Sequence, residues 1–296
     1  MSDRADIRTC ETGESDPGRA SVPDRSTQAA SEPEATENGS SVAPRTADTG
    51  AWSRKRPRVS VVVPGLNEAA SLPELAERVH ASLGGKIPYE LIFVDDGSTD
   101  NTWKVVRRLH LHNPAVRGVR LRANFGKAMA LSAGFARARG KIVVMMDADL
   151  QDDPSDLPTF LAQIHGDLDM IVGWKVNRLD PLNRRVLSKI FNGTVAMMTG
   201  VHLHDMNCGF KAYRREVLRT LPIYGDLFRF IPVLAKWQGF RVGEVPVKHH
   251  PRKHGRSRYG LERILRGIFD LLSVIFLGAI RASPCTCSAS SACSSG

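Results

Sequence analysis

Residues 89–98 read YELIFVDDGS: an apolar and aromatic run that breaks off in Asp-Asp-Gly, with Ser98 placed to cap a following helix. Such a run predicts a strand buried on both faces, ending in a sharp turn. The theme appears first at 59–64, VSVVVP, followed by a polar loop and a helix of about ten residues from Pro73. Leu72, Leu75, Val79 and Leu83 share one face of that helix. Further along, GVRLR (118–122) reads as a third strand, GKAMALSAGFARA (126–138) as a helix, KIVVMMDAD (141–149) as a fourth strand and DLDMIVGWK (167–175) as a fifth. This alternation predicts an α/β fold: a mostly parallel central sheet with helices on both faces. Ligands of such sheets bind beyond the carboxyl ends of the strands. Pro64–Glu68, Asp95–Gly97 and Asp147–Gln151 all fall there, so three strands aim polar clusters at one rim. After 176 come a helix near 182–199, the stretch DMNCGFKAYRREV (205–217), a helix near 226–238 and a strand RVGEVPVKH (241–249).

Composition divides the 296 residues unevenly. Residues 1–57 form a Ser-, Ala- and Pro-rich leader that buries too little apolar surface to offset its ordering entropy, and disorder is expected there. Residues 1–52 hold ten acidic and five basic side chains, so a total of +10 leaves +15 for the body, which suits an anionic partner. The leader has no basic start followed by an apolar stretch, so the body is expected on the cytoplasmic side. Five cysteines, three of them in the last dozen residues, form no disulfide framework. The catalytic domain is expected over 58–258 and an amphipathic helix that lies in a membrane interface over 259–280. Its uncharged stretches are too short to span a bilayer, which needs about 20 apolar residues. Residues 281–296 are irregular and read as an altered or truncated end.

Asp147-Ala-Asp149 is the sharpest cluster. On an extended segment residues i and i+2 face the same side, so both carboxylates can meet one ion, with Gln151 as a further oxygen. Oxygen-only ligands suit Mg²⁺ or Mn²⁺. A solvated acidic turn that caps the helix near Pro154 is the plainer reading, and Asp152 and Asp153 fit it better. Asp95 and Asp96 exceed what their turn needs, and one can accept hydrogen bonds from a base or ribose. Glu68 and Asn67 suit a helix start as well as a ligand. Arg252, Lys253, Arg256 and Arg258, around Gly255 and Ser257, suit a grip on a diphosphate, whereas Lys248, His249, His250 and His254 read as surface. The basic stretch lacks the interleaved aromatics of a nucleic-acid reader, and no Gly-x-Gly-x-x-Gly follows the first strand.

Together VVVPGLNE, ELIFVDDGSTDNT, RANFGKAMALSAGF, MDADLQDDP, DMNCGFKAYRREV and RKHGRSR, in this order, resemble the inverting glycosyltransferases of the GT-A fold that use nucleotide-sugar donors. The branch most similar is the polyprenyl-phosphate glycosyltransferases, over about residues 58–280. The resemblance implies donor binding by Pro64, Leu66, Glu68, Val94 and Asp96, and a metal and diphosphate site at Asp147, Ala148, Asp149 and Gln151. It implies phosphate contacts from Arg252 and Arg258, a sugar-phosphate contact from Lys175, and an acceptor-orienting or base role for Asp205. Leu66 stands where the family often has Tyr or Phe, and Arg258 where it has Lys. The implied reaction moves a hexose from a UDP-glucose- or GDP-mannose-type donor to a polyprenyl phosphate at the cytoplasmic face of a membrane. It would use Mg²⁺ or Mn²⁺ and no nucleic acid, with a homo-oligomer left open. A soluble or polysaccharide acceptor, or an inactive truncated homologue, is the alternative.

Overall fold

The computed structural model describes residues 8–9, 56–176, 182–221, 225–251, 253 and 270–276. Its centre is a sheet built from VSVVVPG, residues Val59–Gly65 (β2), and YELIFVD, residues Tyr89–Asp95 (β3), whose side chains are buried on both faces except at the rim. They pair in parallel from Val59↔Tyr89 to Gly65↔Asp95, which sets Gly65 and Asp95 side by side. Val116–Arg120 (β4) lies parallel beside β3 and Ile142–Met145 (β5) parallel beside β2. Arg8–Thr9 (β1), two residues of the leader, pairs antiparallel with the outer edge of β4. The remaining leader residues up to 55 lie outside the described residues.

Beyond β5 the order is less regular. Met170–Lys175 (β6) and Val242–Val247 (β8) are parallel to each other, while Lys211–Arg214 (β7) runs antiparallel between β5 and β6. The sheet therefore reads β1-β4-β3-β2-β5-β7-β6-β8 and is mostly parallel, as expected. β7 was not expected from the sequence. At four residues, with Lys and Arg at its ends, it carries no strand periodicity of its own.

Seven helices with described bounds accompany the sheet, besides a helical stretch at 270–276: α1 (Leu72–Leu83), α2 (Thr102–His112), α3 (Lys127–Arg137), α4 (Leu157–His165), α5 (Leu182–Thr199), α6 (Arg215–Thr220) and α7 (Ile231–Trp237). Both faces of the sheet are covered. A Cβ on Gly134 of α3 would lie 2.4 Å from Val62, and one on Gly118 of β4 would lie 2.7 Å from Val106 of α2. Only glycine permits these approaches of helix and strand. The helix expected near 226–238 splits into a 3-10 turn, Gly225–Arg229, and α7, with Pro232 in the first turn of α7. Ser98 does not cap α2: its N–H donates to Asp95 Oδ1 and its Oγ accepts from Asn67 N–H, while Asn101 holds the cap position.

At the opposite end of the strands, Glu90 ties three elements together. It accepts from Ser60 Oγ at 2.6 Å, from Arg117 Nη1 at 2.7 Å and from Arg139 N–H at 2.7 Å. Burial alone would raise its carboxyl, but these donors hold it below the usual range. Replacing Glu90 with alanine should therefore cost about 2 kcal/mol in urea unfolding. A carboxylate whose folded value is depressed contributes stability above the unfolded value and loses it as pH falls through the folded one. The difference between wild type and Glu90→Ala should accordingly shrink in acid and be constant near neutrality.

Candidate active site

The rim above β2, β3 and β5 is assembled by backbone locks. Asn67, held at φ 59°, uses Oδ1 to accept from Thr99 N–H at 2.9 Å, and Glu68 N–H donates to Thr102 Oγ1 at 2.9 Å. Glu68 thus precedes α1 rather than lying in its first turn, and its Oε2 accepts from Ser71 Oγ at 3.0 Å. Leu66 is half-buried beside them. Gly97 sits at φ 72°, with Ala123 and Asn124 backbone where a Cβ would be, so only glycine closes this turn.

The two aspartates after β3 have separate partners. Asp95 holds the turn through Ser98 and faces Arg120 Nε at 3.4 Å. Asp96 accepts from Phe125 N–H at 2.8 Å and Gly126 N–H at 3.0 Å, immediately before α3; burial lifts its carboxyl and those two donors pull it back. The fork on 125–126 delivers Lys127, the first residue of α3, to Asp147, whose Oδ1 accepts from Lys127 Nζ. Pro64 and Val94 face each other across β2 and β3; the Val94 side chain belongs to the core beneath α3.

Asp147 and Asp149 are not on an extended segment, so the same-side argument made from strand geometry does not apply. β5 ends at Met145, and the chain turns through Ala148 and Asp149 to Leu150 at φ 60°, a conformation unusual for a leucine. Asp149 Oδ1 accepts from Gln151 N–H at 3.2 Å, which closes the turn, and Asp149 is buried. Gly65 and Ala148 abut, where a Cβ on the glycine would be 3.5 Å from that of the alanine. Gly209, of the 205–217 stretch, supports Asp147 from below: a Cβ there would stand 2.5 Å from Asp147 Oδ2.

Asp153 caps the following 3-10 turn, accepting from Ser155 N–H, as expected. Asp152 does not. It is 1% exposed and faces Lys175 Nζ at 3.2 Å. Burial lifts the Asp152 carboxyl, with Asp147 and Asp149 adding to the effect and Lys175 opposing it. For Lys175 burial opposes the charge, yet Asp152 and Asp147 outweigh it and the ammonium is held firmly protonated. Lys211 of β7 is buried within range of Asp147, Asp205 and Lys127; burial pushes its ammonium down to about 8. Four aspartates, 147, 149, 152 and 205, thus share the region with Lys127, Lys175 and Lys211.

The basic stretch starts at this rim. His250 N–H donates to Gln151 O at 2.9 Å, His250 Nε2 meets Asp153 Oδ2 at 3.0 Å, and Lys248 N–H donates to Asp156 Oδ2 at 2.8 Å. His249 and His250 are half-buried rather than simple surface residues. Lys253 pairs with Glu74 of α1 at 2.6 Å. Arg252 and Arg258 lie outside the described residues, as does all of 259–280 except 270–276.

Lys127, Lys211 and Gly209 did not stand out in the sequence, and Asp152 stood out only as a capping acid. One of them carried a local signal: Lys127 opens α3, where the helix dipole disfavours a cation.

No three or more His, Cys, Asp or Glu side chains among the described residues are grouped to hold a metal ion. Mg²⁺ and Mn²⁺ need no such cage, because one or two carboxylates with water and substrate phosphates suffice. Asp147 and Asp149 meet that requirement, and the glycine under Asp147 leaves its carboxylate room.

The chain thus has a doubly covered, mostly parallel α/β sheet with two aspartates in the turn past β5. It belongs to glycosyl transferase family 2, whose model matches residues 60–221. It is 42% identical over 232 residues to dodecaprenyl-phosphate galacturonate synthase of Rhizobium johnstonii, covering 76% of this chain and 69% of that one. It is 36% identical over 225 residues to undecaprenyl-phosphate 4-deoxy-4-formamido-L-arabinose transferase of Aeromonas hydrophila, covering 75% and 69%. The fold is similar to glucosyl-3-phosphoglycerate synthase from Mycobacterium tuberculosis, solved with Mn²⁺, UDP-glucose and phosphoglyceric acid. That match has TM-score 0.59 and 21% identity, over 74% of this chain and 80% of that one. It is also similar to a mannosyltransferase from Pyrobaculum calidifontis, solved with GDP-mannose and Mn²⁺, at TM-score 0.54 and 24% identity, over 77% and 65%.

Proposed function

We propose that this enzyme transfers a sugar from a nucleoside-diphosphate donor to a polyprenyl phosphate, with inversion and with a divalent cation, at the cytoplasmic face of a membrane. The observation that carries the reading is the charge arrangement at the rim: Asp147 and Asp149 at the end of β5, backed by Lys127, Lys175 and Lys211. Such a site suits a metal-bound diphosphate. The two relatives named above support the acceptor, since their sugars differ while both names carry a long-chain polyprenyl phosphate.

Asp147 and Asp149 would hold Mg²⁺ or Mn²⁺, which when bound offsets the charge gathering on the departing nucleoside diphosphate. Gln151 adds a neutral oxygen donor next to them. Asp96 and Glu68, with Pro64, Leu66 and Ala148, form the wall for base, ribose and diphosphate, whereas Val94, its side chain in the core, offers only backbone there. Lys175 supplies a fixed positive charge to the phosphate at the reacting end, kept protonated by Asp152. Arg252 and Arg258 would close over the diphosphate. A phosphate acceptor is already ionised near neutral pH, so Asp205 orients it rather than removing a proton.

Membrane contact has apolar candidates. Ile190, Met197 and Met198 of α5 are exposed, as are Leu272 and Phe276 in the helical stretch 270–276, where Leu271 and Val274 are buried. No helix among the described residues is long and apolar enough to cross a membrane. Turnover tests the reading. Nucleoside diphosphate release would be followed from a UDP-hexuronate, UDP-glucose and GDP-mannose, with polyprenyl phosphate, in Mn²⁺ and in EDTA. Release should depend on the lipid and vanish in EDTA for the true donor. Release unaffected by EDTA would remove the metal from the account.

A further inference from the structure

The stretch that carries Asp205 is suspended from a strand two places away. Glu244 of β8 is in register with Val172 of β6, and its side chain reaches the 204–208 turn. Its Oε1 accepts from His204 N–H at 2.8 Å and Asp205 N–H at 3.4 Å, while its Oε2 meets His204 Nδ1 at 2.8 Å. The His204 ring stacks on Trp174, centroids 4.1 Å apart and planes 22° from parallel. Trp174 immediately precedes Lys175. Asn192 of α5 closes the set, donating from Nδ2 to His204 O at 2.7 Å.

We propose that Glu244 is a positioning residue for transfer: its carboxylate holds the His204–Asp205 backbone and, through the His204–Trp174 stack, locks Asp205 in register with Lys175. This inference rests on the role assigned above to Asp205. Both carboxylate oxygens of Glu244 are committed to one two-residue segment, which is more than a half-buried mid-strand glutamate needs for its own solvation. Asp205 itself is 1% exposed, and its carbonyl accepts from Cys208 N–H at 3.3 Å, so the turn has little freedom except through its anchor. The donor wall is built on β2, β3 and β5, so losing the anchor would disturb acceptor geometry and leave nucleotide binding intact. Displacing a reacting group by about 1 Å costs on the order of 100-fold.

The test compares Glu244→Gln, Glu244→Asp and Glu244→Ala for kcat, donor KM and hydrogen exchange at the His204 and Asp205 amides. Glutamine keeps an acceptor for both N–H groups and should retain kcat within about threefold of wild type. Aspartate keeps the charge but withdraws it by one methylene. It and alanine should lose about 10- to 100-fold in kcat at nearly unchanged donor KM, with faster exchange at the two amides. Wild-type kcat and exchange in Glu244→Ala, or a glutamine variant as impaired as the aspartate one, would overturn the proposal. Should alanine not fold, the glutamine–aspartate contrast decides alone. No transfer by the unsubstituted chain would sink the functional reading, while the amide exchange rates would still report whether Glu244 holds the turn.

Discussion

Asp149→Asn should lower transfer by about 1000-fold while leaving the fold in place. Asparagine is isosteric and its Oδ1 can still accept from Gln151 N–H, the bond that closes the turn after Asp149 in the present structure. What it removes is one unit of negative charge beside Asp147. Preorganised electrostatic groups at a developing charge are typically worth a factor of about 100 to 1000 each, and a metal ligand stands at the upper end. Thermal unfolding should shift little, and the stimulation of nucleotide binding by Mn²⁺ should disappear. A variant with substantial activity and unchanged Mn²⁺ dependence would show that the carboxylates past β5 do not hold the ion.

Lys175→Met is expected to damage stability as much as catalysis. Asp152 has 1% of its side chain exposed and Lys175 15%, so methionine leaves a carboxyl buried without its cation. Removing one partner of a buried pair costs about 3 kcal/mol or somewhat more. The pH dependence follows from Asp152, whose carboxyl burial raises, an effect that the loss of Lys175 would strengthen. A carboxyl with a raised folded value favours the folded state when neutral, so its contribution is greatest in acid and declines as pH rises toward the folded value. Lys175→Met should therefore gain stability on mild acidification relative to wild type. Adding Asp152→Asn should return most of the lost stability at neutral pH but none of the lost transfer, because the cation proposed to meet the donor phosphate stays absent. Urea unfolding at several pH values and kcat for the single and double variants separate the two effects.

The elements that were legible in the sequence are those whose residues speak locally. VSVVVP and YELIFVD are legible as strands because short runs so rich in β-branched and apolar residues suit burial on both faces of a sheet. The Asp-Asp-Gly turn and the pattern of α1 are similarly self-evident. Where the reading failed, the cause was a partner distant in sequence. Ser98 has the composition of a cap but is claimed by Asp95 and Asn67. Asp152 looks like a helix-start acid beside Asp153, and only the fold brings Lys175 beneath it. β7 is a strand because β5 and β6 flank it, and Lys211 is buried for the same reason. Lys127 meets Asp147 only because Asp96 grips the backbone just before α3. The extended geometry inferred for Asp147 and Asp149 missed the left-handed Leu150, which no residue preference announces.

The most direct test of the account is a competition between acceptors. The purified chain would receive one labelled donor, Mn²⁺, and equal concentrations of polyprenyl phosphate and a soluble sugar phosphate, and the organic and aqueous products would be counted. The account predicts label in the organic phase, on a phosphodiester of inverted anomeric configuration, and none there with Asp149→Asn. Label confined to the soluble acceptor would contradict it.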